Sequence, residues 1–289
     1  MKISLLIVTH NRLRALCELL ESITRQTVQP FEIVVVNDAG ERVDIIQELY
    51  PELPIRLIHL DENVQHVNAR NVGVRELTGD VIMLSDDDDY FTPCHIERMS
   101  KALEDADFVF SDAEIVSFEE KGATRFPLSR RLFAYTADIE DMRVFSTYVP
   151  SGSMYKRCIH DEIGYFDPAM HHYWDWDFFL RVSQHARVKR VPAASVIYAF
   201  FDGGGNQSSD LGETRKNYLD DLSEKHELGD LPTANFAILL EEPAMKKRET
   251  ESEIVWDGKP MISRLAQQVE GGKPMISRLA QQVEGGKPQ

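Results

Sequence analysis

The chain predicts an α/β fold, a Rossmann-like doubly wound and mostly parallel sheet with helices on both faces. Three observations carry that expectation. Short β-branched runs alternate with segments of helical period from Lys2 to Val116, the pattern of repeated strand–helix–strand units. One run, Val81 to Leu84, ends abruptly in four consecutive aspartates, Asp86 to Asp89, which places polar chemistry at a strand's C-terminal edge, where open α/β sheets bind ligands. The chain has 289 residues, 43% of them hydrophobic, enough for one large globule and a tail.

Lys2 to Thr9 reads as a buried strand. A helix follows from about Arg12 to Arg25, with Leu13, Leu16, Leu20 and Ile23 at helical spacing. Phe31 to Val36 is the second strand, Val43 to Leu49 a short helix, Ile55 to Leu60 a third strand, and Val67 to Leu77 a helix stopped by Gly79. After the acidic strand, Pro93 suits the first turn of a helix running to about Leu103, and Phe108 to Val116 is another strand. Glu119 to Tyr148 has weak periodicity and scattered basic residues (Lys121, Arg125, Arg130, Arg131), which suggests a mobile or substrate-covering segment. Asp175 to His185 reads as helix, Val188 to Phe201 contains a strand despite Pro192, Gly203 to Ser209 is a loop, and Leu211 to Leu228 a closing helix. The expected division is 1–118, 119–228 within the same globule, and a helical C-terminal extension over 229–289.

That extension contains an internal repeat: GKPMISRLAQQVEG runs from Gly258 to Gly271 and again, identically, from Gly272 to Gly285. Met261, Ile262, Leu265 and Val269 would form one apolar stripe on a helix too short to stand alone. Each copy therefore needs a partner, its own globule or a second chain, and the repeat suits a neutral duplication of one terminal helix rather better than a dedicated docking device.

The formal charge of −16 opposes long-range attraction to nucleic acid or an anionic membrane. Cys17, Cys94 and Cys158 show neither zinc-ligand nor disulfide spacing, which fits a reducing cytoplasm. No run approaches the ~20 apolar residues of a membrane span, so a cytoplasmic protein, at most peripheral at the membrane, is expected.

Four adjacent aspartates repel one another unless a hard cation such as Mg²⁺ or Mn²⁺ neutralises them, although an acidic run alone also suits a solvated turn. The segments IVTHNR, IVVVNDAG, NARNVG, GDVIMLSDDDD, VPSGSMYKRCIHDEIGYFDP and WDWDFFLR, in that order over roughly residues 1 to 205, resemble the inverting family 2 glycosyltransferases, of the nucleotide-diphospho-sugar transferase superfamily with the glycosyltransferase A fold. The resemblance implies that Asp38 meets the nucleobase, that Asp86 contacts ribose and Asp88 the metal, and that Asp175 is the catalytic base. Asp87 can replace either of its neighbours, since the register within the cluster is open. Thr9, Arg12 and Arg70 would line the nucleotide pocket, although Thr9 equally suits the N-cap of the first helix and Asp38 a turn. Ser151, Gly152, Ser153 and Trp174 would lie near the donor sugar or acceptor. Partial burial against Trp174 or Trp176 would raise the pKa of Asp175, while Asp177 would cap the helix. His66, His171 and His172 are expected as exposed or core-satisfied residues rather than ligands. Asn37, Ala39, Gly40, His66 and Trp174 depart from the family's usual residues, which bears on specificity.

The implied activity is a metal-dependent, hexosyltransferase-like transfer, with Mn²⁺ or Mg²⁺, from a nucleotide-diphosphate sugar to a hydroxyl acceptor in polysaccharide or glycoconjugate synthesis. UDP is the expected nucleotide, and the acceptor a glycan, a lipid-linked or a small molecule. A nucleotidyltransferase is disfavoured because no Gly-rich loop follows the first strand. The alternative from another class is a catalytically silent nucleotide-sugar binding or scaffold subunit, forming a homo-oligomer or docking a partner protein through the repeated tail.

Overall fold

The computed structural model describes residues 1–200, 213–232 and 240–270. Its first half alternates as expected: β1 (Ile3–Thr9), α1 (Leu13–Thr24), β2 (Glu32–Asn37), α2 (Ile45–Leu49), β3 (Ile55–His59), α3 (His66–Glu76) and β4 (Val81–Asp86). There follow β5 (Tyr90–Phe91), α4 (His95–Ala102), β6 (Phe108–Lys121), β7 (Thr124–Phe133), α5 (Ile139–Val144), β8 (Met154–Lys156), α6 (Ile159–Ile163), α7 (Trp174–Ser183), β9 (Val188–Phe200), α8 (Glu213–His226) and β10 (Glu253–Ile254). Ten strands form one sheet in the order β10-β9-β6-β8-β4-β1-β2-β3, with β5 on β9 and β7 on β6. β3, β2, β1 and β4 are parallel to their neighbours, as are β6, β9 and β10, while the short β8 joins the two sets antiparallel to β4 and β6.

The two-residue period of the strands divides the core. On β1 and β2, Leu5, Ile7, Ile33 and Val35 point to the side packed by α1 and α4. Leu6, Val8, Val34 and Val36 point to the other, where Val67 and Val74 of α3 and Phe178 and Phe179 of α7 cover them. Both sheet faces are thus dry, which is why these strands are apolar throughout rather than alternating. Gly73 lets α3 sit against β1, since a Cβ there would lie 2.2 Å from Leu6 Cδ1.

Several expectations give way. Residues 119–148 cover the cavity described below with Phe133, Phe145 and Tyr148, but as regular structure rather than a loose segment: β6 extends to Lys121 and turns back as β7, and α5 follows, capped by Asp138, which accepts from the N–H groups of Glu140 and Asp141. The basic residues that disguised this hairpin are paired, Arg125 with Glu18, Arg130 with Glu114 and Arg131 with Glu241. The expected boundary at 118 falls inside β6, so the sheet runs through it. Pro93 precedes α4 rather than opening it. Pro192 is tolerated in β9 because the β6–β9 register slips beside it, Ser111 pairing with Val191 and Asp112 with Ala194. The loop expected over Gly203 to Ser209 lies outside the described residues.

The first tail repeat docks on its own globule. Its helix, Arg264–Glu270, is shorter than the expected stripe, and Met261 and Ile262 precede it. Ser263 and Ala266 are buried and Leu265 packs on the core, whereas Val269 is 58% exposed. Arg264 holds the contact, donating to Leu49 O at 2.7 Å, pairing with Glu52 and lying over the Tyr50 ring. The second copy lies outside the described residues. Among the described residues no helix is long and apolar enough to cross a membrane.

Candidate active site

The C-terminal ends of β1, β2 and β4 open on one cavity of about 530 Å³, lined among others by Thr9, Arg12, Asp38, Asn63, Arg70, Asp86, Asp87, Asp88, Trp174 and Asp175. Residues distant in sequence meet here because parallel strands deliver all their C-terminal ends to the same edge.

Asp38, directly after β2, is 3% exposed. Its N–H donates to Thr9 O, and its Oδ1 accepts from Val64 N–H at 2.8 Å. Asn37 shapes the turn beyond it, donating to Glu41 O and accepting from Gly40 N–H, so an amide stands there for a structural reason. Thr9 is not the cap of α1: that position belongs to Arg12, which makes no side-chain cap bond, and the buried Thr9 hydroxyl stands against the Asp87 carboxyl instead. Arg70 projects from α3, its guanidinium 4.2 Å from the Trp174 ring centroid, and pairs with Asp86. Asn71 orders the local backbone through a reciprocal pair with Phe166, donating to its O and accepting from its N–H.

The four aspartates diverge. Asp86 faces Arg70, while Asp87 and Asp88 both face Arg12. Asp89 is fully buried and accepts from Ala199 N–H at 3.0 Å. Burial, reinforced by the charge of Asp88, pushes the Asp87 carboxyl up to about 7, and burial also raises Asp88 and Asp89. Asp87 Oδ2 is buried, and the Thr9 hydroxyl stands beside that carboxyl. Among the described residues no group of three or more His, Cys, Asp or Glu side chains is arranged to hold a metal ion. Asp87 and Asp88 nonetheless suit an ion of the Mg²⁺ kind, which commonly takes one or two protein carboxylates and completes its shell with phosphate and water.

Ser151, Gly152 and Ser153 are not among the residues lining the cavity; they stand behind its wall and support it. Ser151 Oγ accepts from Asp86 N–H at 2.9 Å, Gly152 donates to Leu84 O, and Ser153 Oγ donates to Pro150 O. Gly152 has φ +79°, and a Cβ there would meet His95 Nε2 at 2.6 Å. His95, wholly buried, bonds Gly152 O and Ser195 Oγ, fixing the turn that fixes Asp86.

At the opposite wall, α7 begins beneath Arg70. Asp175 is partly open to the cavity and accepts from Trp176 N–H at 2.9 Å. Its enclosure by protein, and next the charge of Asp86, push its carboxyl up to about 6. Asp177 is not the helix cap. It lies wholly buried, bound by Arg181 at 2.9 Å, Lys225 at 2.7 Å and His226 at 2.8 Å. Burial opposes its charge, but the His226 bond and the two cations outweigh it and bring it down to about 2. His66 also lines the cavity; burial, then the charge of Arg70, push it down to about 3, and its Nε2 contacts His171 O. The sequence does not single out Asn63, which donates to Asp38 O, nor Phe133, Phe145, Tyr148 and Tyr198, which line the cavity together with Trp176. No local motif marks either.

Residues 4–164 match the model for Glycosyl transferase family 2, and the chain belongs to that family: it is a glycosyltransferase. It is 70% identical over 265 residues to the uncharacterized glycosyltransferase YwdF of Bacillus subtilis, covering 92% of this chain and 99% of YwdF. It is 30% identical over 234 residues to a PGL/p-HBAD biosynthesis glycosyltransferase of Mycobacterium bovis, covering 78% and 86% respectively. The fold is shared with S. aureus TarS 1-349: TM-score 0.56 at 20% identity, over 69% of this chain and 60% of that one. Against TarS in complex with UDP-GlcNAc the TM-score is 0.61 at 19% identity, over 81% of this chain and 68% of that one.

Proposed function

We propose that the protein transfers a sugar from a UDP-sugar to a hydroxyl acceptor, with inversion and with Mn²⁺ or Mg²⁺, in polysaccharide or glycoconjugate synthesis. The observation that carries this reading is the convergence of Asp38, Arg70 and Asp86 to Asp88 on one cavity wall with Asp175 on another. The UDP complexes of TarS favour uridine as the base, and the M. bovis relative's name favours a biosynthetic transfer.

Asp38 accepts a hydrogen bond from the base, Asp86 from a ribose hydroxyl, and Arg70, held flat by Trp174, offers a fixed charge to the diphosphate. Asp88 with Asp87 would hold the divalent ion, which when bound would supply Lewis-acid stabilisation of the charge on the departing diphosphate. Asp175, ionised above pH ~6, takes the proton of the acceptor hydroxyl. That oxygen bonds the anomeric carbon from the face opposite the nucleotide, the bond from this carbon to the diphosphate breaks, and the nucleoside diphosphate carries off the electron pair. The first tail repeat docks on its own globule, which leaves a scaffold reading to rest on the second copy alone.

Thermal-shift measurements with UDP, GDP, CDP and dTDP, each with Mn²⁺, Mg²⁺ or EDTA, test the donor site. A metal-dependent stabilisation by UDP is expected. No stabilisation by any pair would overturn the donor assignment, and a retained anomeric configuration in the product, read by NMR, would overturn inversion.

A further inference from the structure

We infer that Arg12 couples metal binding to nucleotide binding: its guanidinium bridges Asp87 and Asp88 and must leave before a divalent ion can enter. The inference rests on the metal-dependent reading above and goes beyond it by giving Arg12 a role that alternates with the ion's.

Arg12 Nη1 donates to Asp88 Oδ2 and lies 3.4 Å from Asp87 Oδ1. The other charged groups at this spot have partners of their own. Asp86 is paired with Arg70, and Asp89 accepts from Ala199 N–H. Arg125 donates to the backbone oxygen of Asp88 and its charge also favours the Asp88 carboxylate, while its Nε donates to Glu18 at 2.6 Å. Arg12 is the cation in contact with both carboxyl groups, Arg125 adding its charge at Asp88 alone, and Asp87, 95% buried, otherwise has the Thr9 hydroxyl beside it.

The two cavity arginines differ in freedom. The Arg70 side chain is 9% exposed and stacked on Trp174. The Arg12 side chain is 42% exposed, leaves the chain at the very start of α1, and within the described residues hydrogen-bonds these two carboxylates. A guanidinium and a divalent ion cannot share the same carboxylate edges, because the two positive charges repel at contact distance. Ion entry thus requires Arg12 to swing out. A diphosphate entering the same cavity gives the displaced guanidinium a matching bidentate partner. Ion and nucleotide both favour the displaced arginine, so each strengthens the binding of the other by the same factor.

The test is Mn²⁺ titration of the full chain, free ion being read by electron paramagnetic resonance, with and without UDP, for the wild type, Arg12→Gln and Arg12→Lys. The wild type is expected to bind Mn²⁺ weakly alone and about tenfold or more tightly with UDP. Arg12→Gln is expected to bind Mn²⁺ alone about tenfold more tightly than the wild type and to lose most of the enhancement by UDP. Arg12→Lys keeps the charge and should stay within about threefold of the wild type, which guards against a fold defect in the glutamine variant. Wild-type binding of Mn²⁺ with UDP, combined with an unchanged or weaker Mn²⁺ affinity of free Arg12→Gln, overturns the exchange while leaving the metal site standing. UDP binding without Mn²⁺ uptake in any of the three proteins overturns both.

Discussion

Asp175 and Asp177 stand two residues apart in the first turns of α7, each beside Trp176, and the fold treats them as opposites. The first faces the cavity, its ionised form opposed by enclosure and by the charge of Asp86, and is pushed up to about 6. The second faces α8, is met by Arg181, Lys225 and His226, and is brought down to about 2. The two are the same residue type in the same turns of one helix, so the groups brought against them raise the pKa of one carboxyl, as the proposed base requires, and make the other a structural anion.

The largest effect should come from abolishing the first role. Asp175→Asn is expected to lower kcat about a thousandfold, in the range usual for loss of a general base, with UDP affinity unchanged; transfer at near wild-type rate would remove Asp175 from the chemistry. Asp177→Asn should do the reverse. It should cost about 2–3 kcal/mol of unfolding free energy in urea, the scale of its pKa displacement, while kcat of the folded protein stays within about threefold. A large loss of kcat at unchanged stability would collapse the contrast.

The two also separate on the pH axis. With Asp175 up at about 6, kcat should fall about tenfold per unit below pH ~6, because a base must be ionised to accept a proton. A rate flat from pH 7 to 5 would contradict this. Asp177 is depressed, so its contribution to stability is full above the ordinary carboxylate range and is lost as pH falls from ~4 through about 2. Acid unfolding of Asp177→Asn should accordingly show a shallower pH dependence than the wild type over that interval. The smallest effect concerns the residue between them. Trp176 Nε1 donates to Met142 O at 2.8 Å, and Trp176→Phe, which leaves that buried carbonyl unpaired, should cost about 1 kcal/mol by thermal or urea unfolding.

What the sequence made legible follows the range of the interactions. β1, β2 and β4 were readable as apolar runs because both sheet faces are covered, and the motifs holding Asp38, Arg70, Asp86 and Asp175 pointed to residues that line one cavity, from the sheet edge and from two helices. The β6–β7 hairpin was hidden because its arginines look like loop residues until Glu18, Glu114 and Glu241 are seen opposite them. Asp177 looked like a helix cap because Lys225 and His226 lie 48 and 49 residues further on. The Ser151 turn suggested ligand contact, whereas it hydrogen-bonds the backbone of Asp86. Spacing within a motif says that residues act together; which of them touches the ligand depends on strand register and on helices contributed from elsewhere.

The docked tail has a practical corollary. Since the segments 258–271 and 272–285 are identical, excising either yields one and the same polypeptide, and no deletion distinguishes the copy seated on Tyr50 and Glu52 from its twin. Only a marked residue does: Arg264→Ala and Arg278→Ala differ by nothing but position, so genetic dissection of this terminus must proceed by substitution rather than by truncation.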